Sequence, residues 1–207
     1  MKLSVKPGKG DKMHLHIDGE YFMTVDSGYL VELGIYNGME VNCENIEEIR
    51  RNISVRRSYN KAVDLLSRRD HSKKELIEKL RQKGYGEFAL TAVEKLEGYG
   101  YIDDRRFAFT FAEELIRLKS YGKKRVEQEL YRKGIDRDII SEVISECEFP
   151  SEKLTELIER KYNRYLYDEK GVNKTVNALL RLGYSYSEIR DAIREITDRE
   201  EFETANE

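Results

Sequence analysis

Tryptophan is missing from this 207-residue chain, and cysteine and proline occur only twice each. Cys43 and Cys147 stand far apart with no CxxC partner, which leaves neither a disulfide framework nor a zinc site. Free thiols of this kind are expected to be buried or half-buried. No run of about 18 apolar residues is present, so no membrane-spanning helix is expected. The start MKLSVKPGKGDK lacks the apolar stretch of a secretory leader, and the chain reads as cytoplasmic. Also missing are GxxxxGKS and GxxxxGKT, GxGxxG, HExxH and GxSxG, and no Cys or Ser is visibly paired with a base. With no poised acid, base or nucleophile, a non-enzyme without cofactor or metal is expected.

Charge is abundant instead. Charged residues make up 37% of the chain and hydrophobic ones 39%, where soluble domains carry roughly 25% charge. Such a composition suits thin helical layers better than a globular body with a deep pocket. Net charge is only −3, but it is unevenly spread. Residues 1–57 carry 8 basic and 9 acidic side chains, residues 58–134 carry 18 and 13, and residues 135–207 carry 11 and 18. A basic middle suggests a surface facing nucleic acid or an acidic protein groove; the alternative is a solvated mixture of signs.

Three segments align without a gap: Ser72-KKELIEKLRQ-Lys83-Gly84-Tyr85, Gly122-KKRVEQELYR-Lys133-Gly134-Ile135 and Gly171-VNKTVNALLR-Leu182-Gly183-Tyr184. Successive copies start 50 and 49 residues apart. Ser72 can cap a helix, with Glu75 completing a capping box, while Gly122 and Gly171 are weaker but permitted starters. Leu76 and Leu80 recur as Val126 and Leu130, then as Val176, Leu179 and Leu180, one buried stripe at helical spacing. Gly84, Gly134 and Gly183 fall where a helix ends in a left-handed turn.

Further helical patterns flank each copy. Before them run Ala62-Leu65-Leu66, Ala108-Phe111-Ala112-Leu115 and Leu154-Leu157-Ile158-Tyr162-Tyr165. After them run Ala89-Val93-Leu96, Ile139-Ile140-Val143-Ile144 and Ile189-Ala192-Ile193-Ile196. The expected fold is mainly α: three tandem three-helix repeats in an elongated, curved solenoid. The front end differs. Asp18-Gly19 between the alternating runs MHLHI and EYFMTV predicts a β-hairpin. A short helix over 27–33, a turn at Asn37-Gly38 and a helix from about Asn45 complete a small cap. The expected organisation is a cap over 1–57, repeats over 58–103 and 104–148, and a third repeat with an acidic C-terminal tail over 149–207.

In this order and spacing the segments resemble the bacterial RecX regulatory proteins, across roughly residues 58–197. The resemblance rests on SxxELxxKLxxKGY from Ser72, YIDDxRFA from Tyr101, GxxxVxxELxxKGI from Gly122 and LRxGYSY from Leu180. It implies a regulator of homologous recombination that lies along the groove of a RecA–DNA filament and inhibits RecA's ATP hydrolysis and strand exchange. That places the chain in DNA repair and the SOS response, with the RecA filament as its partner, single- and double-stranded DNA bound without sequence preference, and a monomer as the expected acting form. Two departures stand out. Leu182 replaces the lysine of its sibling repeats, and the 57-residue front end is not common to all members. A sequence-independent DNA-binding protein or a scaffold for another protein is the alternative.

The candidate RecA- or DNA-binding residues are Lys73, Lys74, Lys79, Arg81, Lys83, Arg105, Arg106, Lys123, Lys124, Arg125, Arg132 and Lys133. Cations at equivalent offsets on stacked repeats would form the stripe that phosphate tracking needs. Interleaved Glu75, Glu78, Glu127 and Glu129 could instead neutralise them as pairs along one helix. Asp103-Asp104 admits a divalent metal, but capping of the helix that follows is the better reading. Tyr99 and Tyr101 could stack bases, although most of the tyrosines should sit at core edges. His14 and His16 share a strand face with no third ligand at zinc spacing, and His71 is expected to be a helix-end side chain.

Overall fold

The computed structural model describes residues 1–205, with side-chain environments through Arg199. It divides into two compact units, 1–69 with 76–101, and 70–75 with the described chain from 102 onward.

In the first unit, strands β1 (Leu3–Pro7), β2 (Lys12–Ile17) and β3 (Glu20–Asp26) form an antiparallel sheet in the order β1-β2-β3. Asp18 and Gly19, with φ of 48° and 89°, make the β2–β3 turn, as Asp-Gly predicts. The sequence reading missed β1, whose alternation is only Leu3 and Val5 before Pro7 ends it. Helix α1 (Ser27–Glu32) and the long α2 (Cys43–Leu66) follow. Asn42 and Asn45 cap α2 reciprocally, each side-chain oxygen accepting the other's backbone N–H at 2.8 and 3.2 Å. Ile49 and Ile53 of α2 join Leu3, Leu15, Val25, Tyr29, Ile35 and Val41 in a buried cluster beneath the sheet. Asn60 donates to the Tyr29 hydroxyl at 2.8 Å, and the Arg57 guanidinium donates to the Thr24 carbonyl. Helix α2 runs unbroken through 57–58, then packs with Ala62 and Leu65 towards α4 (Ala89–Gly98). Helix α3 (Lys73–Gln82) lies between them in sequence and buries Leu76 and Leu80. The division between the units cuts its first turn.

The second unit holds α5 (Asp104–Lys119), α6 (Lys123–Arg132), α7 (Arg137–Glu146), α8 (Ser151–Tyr162), a 3-10 turn over Asn163–Tyr165, α9 (Glu169–Arg181) and α10 (Tyr186–Ala205). The chain is thus mainly helical, and helices α5 to α10 fall into two consecutive sets of three. In the first set, Val126 and Leu130 of α6 are wholly buried against α5 and α7 residues including Ala108, Ala112 and Val143. Each such side chain contributes about 1.5–3 kcal/mol of transfer free energy. The second set closes around Leu157, Ile158, Leu179 and Ile189. The acidic tail expected within 149–207 falls partly on 200–207, whose side chains lie outside the described residues. Among the described residues no helix is long and apolar enough to cross a membrane.

Candidate partner-binding surface

Helices α3 and α6 carry most of the candidate cations, and the start of each is built differently. At α3, Ser72 accepts the Glu75 N–H through its hydroxyl at 3.1 Å, and Asp104 accepts the Lys73 N–H at 2.8 Å. At α6, Gly122 gives no side-chain cap, and no acid stands in the first turn. The α6 amides find carbonyls elsewhere: Gly122 N–H donates to Leu182 at 2.8 Å, and Lys124 N–H to Gly183 at 3.3 Å. Glycine at 122 is therefore a steric requirement, since a Cβ there would sit 2.6 Å from the Gly183 carbonyl carbon. Lys123, Lys124 and Arg125 stand at the positive end of the α6 dipole, where cations are unfavourable by about 0.3–1 kcal/mol each. Local stability does not explain Lys123 and Lys124 at that place.

Eleven of the twelve candidate cations divide into two groups, with Lys73 apart from both. Arg105 pairs with Glu142 at 3.6 Å and Glu146 at 2.5 Å, and Arg106 lies 4.0 Å from Asp70. Arg125 and Arg132 share Glu129 at 2.7 and 3.1 Å, and the Arg125 guanidinium lies 5.5 Å from the Tyr121 ring centre. Lys133 turns to Glu75 at 3.3 Å and over the Phe111 ring at 5.3 Å. By contrast Lys74, Arg81, Lys83, Lys123 and Lys124 are exposed and Lys79 is half-buried, none with an ion pair among the described residues. Lys73 is half-buried. Lys79, Arg81 and Lys83 belong to the first unit, Lys73, Lys74, Lys123 and Lys124 to the second. Lys83 and Lys133, equivalent in sequence, thus differ in state. Leu182, at the same offset in the third copy, uses its carbonyl to receive α6.

Asp103 accepts the Arg106 N–H at 2.9 Å and caps α5, as expected, whereas Asp104 caps α3. The two carboxylates serve different helices and do not converge on a shared ligand. Among the described residues no cluster of three or more metal-ligating side chains occurs. His14 Nδ1 bonds the Thr24 hydroxyl at 2.7 Å, and both strand histidines lie edge-on to Tyr21. His71 is buried, with Nδ1 3.3 Å from Glu75, and is more than the helix-end side chain expected. Cys43 is exposed, contrary to the expectation of burial, because it opens the solvent face of α2 beside its cap. Cys147 is half-buried, and burial, then the Glu113 and Glu146 charges, push its thiol pKa up. Tyr99 and Tyr101 are each 61% exposed.

Sequence reasoning missed a groove of about 370 Å³ between α6 and α7, lined by Glu127, Gln128, Tyr131, Arg132, Arg137 and Ile140. Arg137 lies off the repeated offsets, so the repeat gave no signal for it. A larger groove of about 920 Å³ is lined by Glu113, Glu114, Glu146 and Glu148 against Arg117 and Lys153, an acidic excess that disfavours phosphate.

Comparisons with known proteins agree along the chain. Residues 59–96 match the family model "RecX, first three-helix domain", and residues 103–144 match "RecX, second three-helix domain". A protein of Caldanaerobacter subterraneus subsp. tengcongensis named regulatory protein RecX is 32% identical over 91% of this chain and 95% of its own. One of the same name from Bacillus licheniformis is 31% identical over 96% and 77%. A crystal structure of a regulatory protein RecX matches with a TM-score of 0.71 at 22% identity, over 94% of this chain and 98% of that one, a likeness of fold. RecX from Lactobacillus salivarius matches with a TM-score of 0.61 at 28% identity, over 70% and 97%.

Proposed function

The chain belongs to the RecX family of regulatory proteins, and from that premise we propose that it regulates RecA. In this reading it binds the RecA–DNA filament, depresses ATP hydrolysis and strand exchange, and so restrains homologous recombination in DNA repair and the SOS response. The observation that carries the filament contact is the exposed pair Lys123-Lys124 at the positive end of α6, with Lys74, Lys79, Arg81 and Lys83 likewise free of ion pairs among the described residues. Phosphates of single- or double-stranded DNA, met without sequence preference, would neutralise them. Arg105, Arg106, Arg125, Arg132 and Lys133, already paired within the chain, contribute less. The acting form is a monomer in the cytoplasm.

The test adds sub-stoichiometric protein to RecA of the same organism on single-stranded DNA. The rate of DNA-dependent ATP hydrolysis should fall, and an unchanged rate at equimolar protein would overturn the reading. Binding to bare DNA that weakens steeply with salt, with no requirement for RecA, would favour a plain DNA-binding protein.

A further inference from the structure

Gly84, Gly134 and Gly183 end α3, α6 and α9 in the same conformation, with φ of 83°, 79° and 93°. Each donates its N–H to the carbonyl three residues back, at 3.0, 2.9 and 3.0 Å. The residue after each donates five back, at 2.9, 3.2 and 3.3 Å. Two of these turns are occupied, each by the first turn of a helix. The Lys133-Gly134 turn receives the start of α3: the Ser72 hydroxyl donates to the Lys133 carbonyl at 2.6 Å, and the Lys74 stem lies where a Cβ on Gly134 would go. The Leu182-Gly183 turn receives the start of α6 through the Gly122 and Lys124 amides, and Arg125 lies where a Cβ on Gly183 would go. Both occupants begin with a small residue followed by Lys-Lys.

The Lys83-Gly84 turn is built alike, and the Ser58 hydroxyl of α2 donates to the next carbonyl, Tyr85, at 3.3 Å, but among the described residues no helix start is seated on it. Among the described residues nothing beyond its chain neighbours lies within 4 Å of the position a Gly84 Cβ would take, and the Lys83 carbonyl accepts no hydrogen bond. At the other end the start of α9 is closed. Asp168 accepts the Gly171 N–H at 2.7 Å, and the Tyr165 carbonyl occupies the space a Cβ on Gly171 would need.

We propose that the Lys83-Gly84 turn is a docking surface for the first turn of an α-helix from a partner protein, one that begins with a small residue and a basic pair. The carbonyls that end α3 carry the partial negative charge of a helix C-terminus, which complements the amides of a helix start. The two internal occupants define that chemistry. A second copy of the chain is disfavoured because its α9 start is already closed by Asp168 and Tyr165.

The test uses the full isotopically labelled chain and a synthetic peptide of residues 120–133, the internal occupant of the Gly183 turn, followed by amide NMR. Saturable shifts at Lys83, Gly84 and Tyr85 are expected, and their loss in Gly84→Asn. Asparagine tolerates the left-handed turn while placing a side chain in the docking space. A peptide with Gly122→Val should also lose the shifts with the unaltered chain, so the result stands even if Gly84→Asn folds poorly. Three outcomes overturn the proposal: no saturable shift at Gly84, shifts confined to Gly134 and Gly183, or concentration-dependent self-association of the peptide-free chain that Gly84→Asn abolishes.

Discussion

Ser72 and Lys133, 61 residues apart, are joined by a hydrogen bond of 2.6 Å from the serine hydroxyl to the lysine carbonyl. The same hydroxyl accepts the Glu75 N–H, so one oxygen starts a helix and ends another. Ser72→Ala removes both bonds from a fully buried site and is expected to destabilise the protein by about 2 kcal/mol. Urea unfolding should show a lower midpoint with an unchanged slope. An unchanged midpoint would mean that the link contributes nothing.

Glycine substitutions should rank by what meets the new methyl group. Gly84→Ala places it in open space and costs about 1–2 kcal/mol for the left-handed backbone alone. Gly183→Ala drives the same methyl into the Arg125 backbone and should cost clearly more. Equal losses in thermal unfolding would contradict the interlock between α6 and the turn after α9.

Lys123→Gln with Lys124→Gln should weaken DNA or filament binding without weakening the fold. The slope of log K against log salt for double-stranded DNA should become shallower by about 2, at about 0.9 per lost phosphate contact. Stability should hold or rise by about 0.3 kcal/mol per change, because two cations leave a helix N-terminus. Arg125→Gln, which breaks the Glu129 pair and the contact with Tyr121, should do the reverse and lower stability.

The Tyr184 hydroxyl donates to the Ser120 carbonyl at 3.0 Å, and burial, then the Glu188 charge, push its pKa from 10.0 to about 12. A raised pKa means that the folded state holds the proton longer than the unfolded one. The stabilisation is therefore complete below pH 10 and lost as the pH rises through about 12. Tyr184→Phe should cost about 1 kcal/mol at neutral pH. The gap from the parent should narrow over that alkaline window, read by unfolding at a series of pH values.

Maleimide at neutral pH should label exposed Cys43 several-fold faster than Cys147, whose thiolate is disfavoured by burial and by Glu113 and Glu146. Peptide mapping after brief labelling gives the ratio, and equal rates would contradict the described burial.

Periodicity made the helices legible, because Leu76, Leu80, Val126 and Leu130 each repeat a contact every turn. The Asp18-Gly19 turn and the Asp103 cap were legible because their chemistry is local. What stayed hidden depends on partners far along the chain. Nothing near Asp104 announces that it caps α3, and nothing near Gly122 tells that a carbonyl from residue 183 demands glycine there. The basic stripe was read from identical offsets. Yet Lys83 and Lys133 diverge because only Lys133 meets Glu75 and Phe111, a difference that charge counting along the sequence does not contain.

The contact at Gly122 also bears on how such a chain can change over evolutionary time. Ser72 meets its turn with a hydroxyl in the gap, while Gly122 meets its own with no side chain at all, because the backbones lie closer. Setting a serine start like that of α3 in place of Gly122 would therefore force a side chain into a space that admits none. The start of α3 is addressed to the turn after α6 and the start of α6 to the turn after α9, so the two helix starts can each diverge but cannot trade places.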